Sequence, residues 1–245
     1  MDVGFKTDKG IKRSNNEDAF FVMKNDGIYI VADGVGGNRS GEIASRTAVS
    51  EIARYIELHA LGNRESEIKN FFLNAFHEAN HRVIDAGRRF EENSGMATTC
   101  VLAYFHGSEM YVVNVGDSRA YLLTGGRLCQ ITEDHTYVNA LVKAGIITPE
   151  QAVDHSDKNM ITRAIGADVE IEPDVFKVRI KPGDRVLLCT DGLYGELSAQ
   201  EITEIFGQGL SMTDTCVALV DAANDAGGCD NITAVCIAIT EDDVR

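Results

Sequence analysis

The sequence is poor in positive charge and has no apolar run long enough to cross a membrane. Its 23 Lys and Arg residues stand against 38 Asp and Glu residues, which leaves a formal net charge of −15. Because phosphate-rich surfaces are bound by an excess of cations, this balance argues against nucleic acids and anionic membranes as partners. Residues 1–9 also lack the apolar core of a signal peptide, so we expect a cytoplasmic protein.

Cysteine pairs and glycine-rich nucleotide-binding motifs are also missing. The six cysteines are scattered without a C-x-x-C pair, which disfavours a disulfide framework and a cysteine-based zinc site. Neither G-x-G-x-x-G nor G-x-x-x-x-G-K occurs. A length of 245 residues suits one large domain with a sizeable core, and we expect residues 1–245 to form a single monomeric domain.

The stretch I-Y-I-V-A-D-G-V-G-G, residues 28–37, is the part around which we expect the chain to be organised. An apolar strand ends there in Asp33, and the glycines that follow allow backbone oxygens to approach the same point as the carboxylate. The sequence V-L-L-C-T-D-G at residues 186–192 repeats the pattern. One such strand end is ordinarily a turn, but two of them, with acids at other strand edges, indicate carboxylates that converge on a cation.

Period-two and period-3.6 apolar patterns predict the remaining elements. Strands are expected over residues 2–5, 19–23, 28–32, 98–105, 109–115, 118–124, 127–131, 175–180, 185–190 and 232–239, the four between 98 and 131 as an antiparallel meander. Helices are expected over residues 41–59, 65–90, 137–144, from 148, 198–206 and 213–225. Strictly alternating strand–helix units are absent, so the predicted fold is α/β, a four-layer α-β-β-α sandwich of two packed antiparallel sheets flanked by helix pairs.

Residues 134–168 interrupt the rhythm of the strands. They contain the two short helices that begin near 137 and 148, with Asn139 and Lys143 expected on the exposed face. An insertion of this kind can be a lid beside a binding site or an ordinary connecting helix pair, and the sequence alone leaves both open.

Five acids lie at predicted strand edges or glycine turns. An all-oxygen ligand set favours Mg²⁺ or Mn²⁺ over zinc, and carboxylates that converge without a cation repel one another. Two such ions can activate a water for in-line attack on phosphorus, and a guanidinium can bind two phosphate oxygens at once. The acids are Glu17, Asp33, Asp117, Asp191 and Asp230, and the candidate guanidinium is that of Arg13.

A rival site is H-E-A-N-H at residues 77–81, which matches the H-E-x-x-H zinc-protease pattern. The spacing puts His77 and His81 on one helix face with Glu78 beside them as a possible base. No third zinc ligand follows at a recognisable spacing, and a protease would leave the five acids unexplained. Histidines that are merely solvated or packed are the simpler interpretation.

The motifs, in order, resemble those of the metal-dependent protein phosphatases of type 2C, and most of all the stand-alone bacterial serine/threonine phosphatases. The similarity spans about residues 2–240. It is carried by R-x-x-x-E-D at 13–18, D-G-V-G-G at 33–37, G-M-A-T-T at 95–99, G-D-S-R at 116–119, N-M-I-T-R-A-I-G at 159–166, T-D-G-L at 190–193 and D-N-I-T at 230–233.

The resemblance implies a serine/threonine phosphatase in which a water or hydroxide bridging two Mn²⁺ or Mg²⁺ ions attacks the phosphoryl group directly. Asp33 would bridge both ions. Asp191 and Asp230 would complete the first site, while Glu17 and the carbonyl oxygen of Gly34 would serve the second.

Further roles follow from the same resemblance. Asp117, together with Asp191, would hold a third and weaker ion. Arg13 would bind the substrate phosphate, Asp18 would support the ligands from behind, and residues 134–168 would form a flap beside the site. The partners would be phosphorylated proteins, among them the substrates of a bacterial serine/threonine kinase and the kinase itself.

One position departs from the pattern of many eukaryotic members. They read D-G-H-G-G, in which the histidine is a proposed proton donor, whereas this chain has Val35. A metal-bound water is the preferred donor here and His135 a weaker one. Two other functional readings remain: a different two-metal phosphoesterase, such as a nuclease or small-molecule phosphatase, and a pseudophosphatase that only binds partners.

Overall fold

The computed structural model describes residues 1–36 and 40–244. Its strands are β1 Asp2–Asp8, β2 Asp18–Met23, β3 Ile28–Val35, β4 Ala97–Thr98, β5 Cys100–His106, β6 Glu109–Val115, β7 Arg119–Thr124, β8 Arg127–Gln130, β9 Asp174–Arg179, β10 Arg185–Cys189 and β11 Ile232–Ala238. Its helices are α1 Ser40–Leu58, α2 Glu65–Arg89, α3 Tyr137–Lys143, α4 Pro149–Val153, α5 Asp191–Tyr194, α6 Ala199–Phe206 and α7 Met212–Ala226. Gly37, the last residue of the D-G-V-G-G motif, lies outside the described residues.

The strands form two antiparallel sheets. The first has the order β1-β11-β10-β7-β8, and the second has the order β2-β3-β5-β6-β9 with β4 paired to the end of β3. The register of β2 and β3 sets Asp18 opposite Asp33, and the register of β1 and β11 sets Thr7 opposite Thr233. Backbone ladders therefore hold residues side by side that lie far apart in the sequence.

Strand β3 illustrates why both faces of a sheet are apolar here. Ile28, Ile30 and Ala32 pack in the cluster beneath α1 and α2, whereas Tyr29 and Val31 pack in the cluster between the two sheets. Successive side chains of a strand point to opposite faces, so a strand that is covered on both sides reads as a continuous apolar run.

The layers follow from three buried clusters. One joins α1 and α2 to the second sheet, one lies between the sheets, and one joins α6 and α7 to the first sheet. The order is helices, sheet, sheet, helices, and the predicted α-β-β-α sandwich is confirmed. Within the described ranges, none of the helices combines the length and apolar content that a membrane crossing requires.

One prediction about the strands is wrong, because the four strands between 98 and 131 do not form a single meander. β5 and β6 pair in the second sheet, whereas β7 pairs with β10 and β8 in the first. The chain changes sheets at Gly116, which has a φ of 102° and lies so close to Thr99 that an added Cβ would be 2.6 Å from the Thr99 Cβ. Only glycine suits that conformation, and alternation within a strand does not reveal which partner it pairs with.

Residues 134–168 contain the two predicted short helices, each capped by a threonine. Thr136 accepts a hydrogen bond from the Asn139 N–H, and Thr148 shares a capping box with Gln151. Asn139 differs from expectation. It is only partly exposed, and its Nδ2 donates to the Asp134 carbonyl at 2.7 Å, so it holds the segment together.

We expect Phe72→Ala to lower the free energy of unfolding by about 3–5 kcal/mol, because it empties a fully buried site between α2 and the second sheet. The matched control is Phe90→Ala, whose ring is 60% exposed and should cost about 0.5 kcal/mol or less. Urea unfolding of both variants measures the difference. Equal losses would contradict the assignment of Phe72 to the core.

Candidate metal centre

Asp33 lies near the end of β3, and its backbone is held by two neighbouring threonines. The Asp33 N–H donates to Thr99 Oγ1 at 2.9 Å. The Asp33 carbonyl accepts from Thr98 Oγ1 and from the Thr99 N–H, both at 2.8 Å. The G-M-A-T-T motif thus fixes the backbone from which the Asp33 carboxylate projects.

Asn231 connects the loop before β2 to the start of β11. Its Oδ1 accepts from the Glu17 N–H at 2.8 Å, and its Nδ2 donates to the carbonyls of Lys9 and Asn15 at 2.8 Å each. The Glu17 carboxylate accepts from Asn15 Nδ2 at 3.1 Å. Sequence reasoning noted Asn231 only as a letter of D-N-I-T, whereas its amide places Glu17 next to Asp230.

Two glycines bring β3 against the start of α1 beside Glu17. A Cβ added to Gly34 would lie 2.0 Å from the Gly41 carbonyl oxygen, and one added to Gly41 would lie 2.3 Å from Glu17 Oε2. Neither position has room for a side chain. Gly41 was not among the predicted site residues. The sequence feature that could have indicated it is that Gly41 is the single glycine of α1 and lies at the start of this helix.

Asp18 lies behind the other acids in a buried hydrogen-bond network. Its Oδ2 accepts from Thr190 Oγ1 at 2.9 Å and from Thr233 Oγ1 at 2.6 Å, whereas its buried Oδ1 has no hydrogen-bond partner among the described residues. Thr190 is the first residue of the T-D-G-L motif, and Thr233 is the last residue of the D-N-I-T motif. Asp18 therefore links the ends of β2, β10 and β11.

Asp117 lies in the tight turn between β6 and β7. Tyr194 Oη donates to the Asp117 carbonyl at 2.9 Å, and the guanidinium of Arg119 lies 3.5 Å above the centre of the Tyr194 ring. Ser118 Oγ lies 2.6 Å from Thr99 Oγ1, which joins this turn to the residue that holds Asp33. Tyr194 is a positioning residue that sequence reasoning missed, because it belongs to the unpredicted short helix α5.

Asp191 lies just after strand β10, and Asp230 lies just before strand β11. Asp230 Oδ2 accepts from Arg13 Nη2 at 2.6 Å, and its Oδ1 accepts from the Asn231 N–H at 2.8 Å. Asp191 Oδ1 is buried and has no hydrogen-bond partner among the described residues. The structure therefore brings Arg13 to the carboxylates and pairs it with one of them.

The carboxylates repel one another in a poorly hydrated place. Burial, followed by the charges of Asp18, Asp191, Asp117 and Asp230, raises the pKa of Asp33 well above its ordinary value. Asp33 retains partial exposure, yet protein atoms surround its carboxyl group closely enough that burial is the largest cause.

The neighbours of Asp33 respond in the same way. Burial raises the pKa of Asp18 to about 7 despite the hydrogen bonds from Thr233 and Thr190. Burial and the charge of Asp191 raise the pKa of Asp117 to about 7. Burial and the charge of Asp230 raise the pKa of Asp191.

This donor set fits hard divalent cations. The donors are oxygens, and buried carboxylate oxygens of Asp18 and Asp191 have no hydrogen-bond partner within residues 1–36 and 40–244. A cation would offset the repulsion among these acids. Among the described residues no three Asp, Glu, His or Cys side chains already form a coordination shell. Oxygens of Asp230 and Glu17 accept hydrogen bonds from Arg13 and Asn15, so a cation would compete with these partners.

His135, the side-chain candidate for a proton donor, is poorly suited to that role. His135 is buried, its Nδ1 accepts from the Gly116 N–H at 3.1 Å, and its Nε2 lies 3.0 Å from Asp174 Oδ2. Both ring nitrogens of His135 are thus engaged, Nδ1 by the turn that carries Asp117 and Nε2 by Asp174 at the start of β9.

Known proteins with a similar sequence or fold share one description. The sequence model of the protein phosphatase 2C family matches residues 10–224. The chain is 38% identical to the protein phosphatase PhpP of Streptococcus pneumoniae strain D39 over 250 residues, with both chains covered completely.

Solved structures agree over nearly the whole chain. The serine/threonine phosphatase Stp1 of Staphylococcus aureus superposes with a TM-score of 0.90 at 34% identity, covering 97% of this chain and 94% of that one. The catalytic domain of the serine/threonine protein phosphatase PstP, solved with two manganese ions, superposes with a TM-score of 0.84 at 32% identity, covering 98% of each chain.

We expect Asp18→Asn to stabilise the chelator-treated protein at high pH. The pKa of Asp18 is raised from 3.8 to about 7, so its contribution to stability is present below pH 4 and is lost as the pH rises through about 7. The neutral amide avoids that loss. The advantage over the parent should therefore grow from near zero at pH 4 to the order of 2–4 kcal/mol at pH 8.

Urea unfolding in a chelator across that pH range measures the effect. The matched control is Asp225→Asn, an exposed acid in α7 that should show no such trend. A stability difference for Asp18→Asn that does not change with pH would contradict the raised pKa.

Proposed function

The chain belongs to the protein phosphatase 2C family and is a serine/threonine protein phosphatase, and from that premise we propose how its residues act. It hydrolyses phosphoserine and phosphothreonine in proteins with two Mn²⁺ or Mg²⁺ ions as cofactors. The domain spans residues 1–245, with residues 134–168 as a flap. The observation that carries the proposal is the set of acids around Asp33, whose pKa is raised by burial and by the charges of these neighbours.

The ligands are divided between two ions in our proposal. Asp33 would serve both ions, Asp191 and Asp230 would hold the first, and Glu17 and the Gly34 carbonyl would hold the second. Support comes from the contacts that hold these groups: Asn231 places Glu17, and the threonines of G-M-A-T-T place Asp33. When bound, the two ions would lower the pKa of a shared water and offset the charge of the phosphoryl group.

Arg13 orients the substrate in this proposal. Its side chain is 53% exposed and already reaches a carboxylate, Asp230, at 2.6 Å. A phosphate presents the same paired oxygens to a guanidinium, so Arg13 can exchange Asp230 for the substrate. That exchange would also free Asp230 Oδ2 to act as a ligand.

Asp117 and Asp191 would hold a third, weaker ion in our proposal. Support comes from the burial of Asp117 and from the charge of Asp191, which contributes to the raised pKa of Asp117. Asp18 acts from behind the ligands by binding Thr190 and Thr233, which keeps the ends of β10 and β11 together. His135 does not take the role of proton donor in this proposal, since it is engaged on both ring nitrogens.

We further propose a monomeric cytoplasmic enzyme that acts on phosphorylated proteins, among them the substrates of a bacterial serine/threonine kinase and the kinase itself. The flap borders the site in this proposal. Thr98, which binds the Asp33 carbonyl, also exchanges backbone hydrogen bonds with Ile165 at 2.9 and 2.8 Å. Acidic composition disfavours nucleic acid as a substrate.

We expect the purified protein to dephosphorylate phosphoserine and phosphothreonine peptides, to lose this activity on chelation, and to regain it with Mn²⁺ or Mg²⁺. Asp33→Asn should lower kcat/KM by roughly 100-fold or more, because it removes the charge shared by both ions. Asp117→Asn should lower it less. Asp225→Asn, an exposed acid, should retain the activity of the parent.

A substrate panel of phosphopeptides, nucleotides and single-stranded DNA measures these activities. Faster cleavage of nucleotides or DNA than of phosphopeptides would favour the alternative two-metal phosphoesterase. Hydrolysis that survives exhaustive chelation would refute the metal-dependent mechanism.

We expect the flap to select protein substrates without contributing to the chemistry. Lys143→Ala and Ile146→Ser change two exposed side chains on it. Each should lower kcat/KM for a phosphoprotein by about threefold to tenfold, which corresponds to about 0.7–1.4 kcal/mol, and leave a small aryl phosphate within about twofold. Asn139 is unsuitable because it holds the Asp134 carbonyl.

Saturating Mn²⁺ keeps altered metal affinity out of this comparison. Leu58→Ser, equally exposed at the end of α1, is the matched control and should change neither rate. Proportional losses on both substrates would mean that the segment supports the metal centre itself.

A further inference from the structure

A cavity lies between helix α2 and the chain that leaves the flap, and none of the five acids lines it. Its volume is about 530 Å³. One wall carries both histidines of the H-E-A-N-H sequence. The opposite wall is formed by residues 162–164 and 168–172, which include Arg163, Asp168, Glu170 and Glu172.

His77 and His81 are adjacent on one face of α2, because side chains four positions apart in a helix project from the same side. His77 is partly buried and His81 is exposed. Over residues 1–36 and 40–244, neither imidazole takes part in a described hydrogen bond or ion pair. Two unengaged imidazoles at this spacing are a chelating pair on a rigid element.

Asn80, between the two histidines, fixes the opposite wall. It is fully buried, its Nδ2 donates to the carbonyls of Asp168 and Val169 at 2.9 and 3.1 Å, and its Oδ1 accepts from the Gly166 N–H at 2.7 Å. The segment from 166 to 169 is therefore held against α2. This contact therefore limits the distance between the two histidines and the acids that follow Gly166.

The charges of the opposite wall favour a cation. Asp168, Glu170 and Glu172 are exposed, and none of them forms a salt bridge within the described part of the chain. Arg163 is the positive group on this wall, and its Nη1 is turned to Asp174 Oδ1 and to the Glu172 carbonyl, both at 3.2 Å. Three carboxylates and one guanidinium that is already paired thus line the same cavity as the two histidines.

We propose that this cavity is a second metal site, in which His77 and His81 bind a borderline transition-metal ion such as Zn²⁺, Ni²⁺ or Co²⁺. Imidazole nitrogen prefers these ions, whereas an all-oxygen centre prefers Mg²⁺ and Mn²⁺, so the two sites select different metals. One carboxylate of Asp168, Glu170 or Glu172 completes the site with water. No three such side chains are already arranged around a point in the described residues, so binding requires this carboxylate to rotate.

The site binds a metal without being the protease that H-E-x-x-H suggests. A metalloprotease would need Glu78 as a base beside the ion. Instead, Glu78 Oε1 pairs with Arg82 Nη2 at 2.9 Å and lies 3.9 Å from Arg54 Nη2. Glu78 therefore belongs to an ion-pair network between α2 and α1. The bound ion would instead join α2 to the segment that leaves the flap.

Calorimetric titration with Zn²⁺ in saturating Mg²⁺ tests the proposal. The parent should bind one more equivalent of Zn²⁺ than the double variant His77→Ala/His81→Ala. Each single variant should weaken that binding by about tenfold or more. At least one of Asp168→Asn, Glu170→Gln and Glu172→Gln should also weaken it. Glu78→Gln and His106→Ala, a histidine on β5 outside the cavity, should bind as the parent does.

Thermal unfolding gives an independent readout, because an ion that binds only the folded protein raises its Tm. Zn²⁺ should raise the Tm of the parent more than that of the double variant. Circular dichroism without added Zn²⁺ establishes that each variant is folded, and His81→Gln serves if the double variant is not.

Three results would overturn the proposal. The first is equal stoichiometry and equal Tm shifts in the parent and the double variant. The second is a loss of Zn²⁺ binding in His106→Ala or Glu78→Gln as large as in the histidine variants. The third is unchanged binding in all three carboxylate variants. Since no readout uses phosphate hydrolysis, these outcomes leave the function of the carboxylate centre untouched.

Discussion

The repulsion among buried carboxylates is the constraint on which the rest of the structure depends. Asp33 shares a small, poorly hydrated region with Asp18, Asp117 and Asp191, and each of these acids has a raised pKa with burial as the largest cause. Such a cluster opposes folding unless cations or hydrogen-bond donors offset it. The residues around the cluster supply hydrogen bonds that offset part of the unfavourable free energy of burying these charges.

The two-sheet architecture supplies those means. The acids lie at or just beyond strand ends, where backbone groups that have left the ladder remain available to hold side chains and turns. Thr99 binds the Asp33 backbone and contacts Ser118 in the turn that carries Asp117, so the second sheet positions two of the acids through one side chain. Thr190 and Thr233 do the same for Asp18 from the first sheet.

The protein thereby separates hard oxygen donors from imidazole nitrogen donors. The carboxylates lie where the sheets meet, and the two unengaged histidines lie on α2 facing the chain that leaves the flap. The flap has physical links to both regions. Thr98 joins Ile165 to the Asp33 carbonyl, and Asn80 joins residues 166–169 to α2. A conformational change of the flap would therefore alter the contacts of both the carboxylates and the histidines.

Local chemistry in the sequence was sufficient to predict most of the elements, and the resemblance of its motifs identified the family. A short apolar run predicted β6 to the residue, and Ser198 predicted the start of α6, because apolar pattern and capping are properties of neighbouring residues. The resemblance then implied roles for Glu17, Asp33 and Asp230, which remain predictions to be tested.

Only the tertiary structure decided which strands pair and what holds the acids. It divided the strands between 98 and 131 over two sheets, turned Arg13 to Asp230, and used Asn231 to place Glu17. These contacts join residues that are distant in the sequence, and their energy depends on the whole packing arrangement. A local pattern shows that a strand has two apolar faces, but it does not show what will cover them.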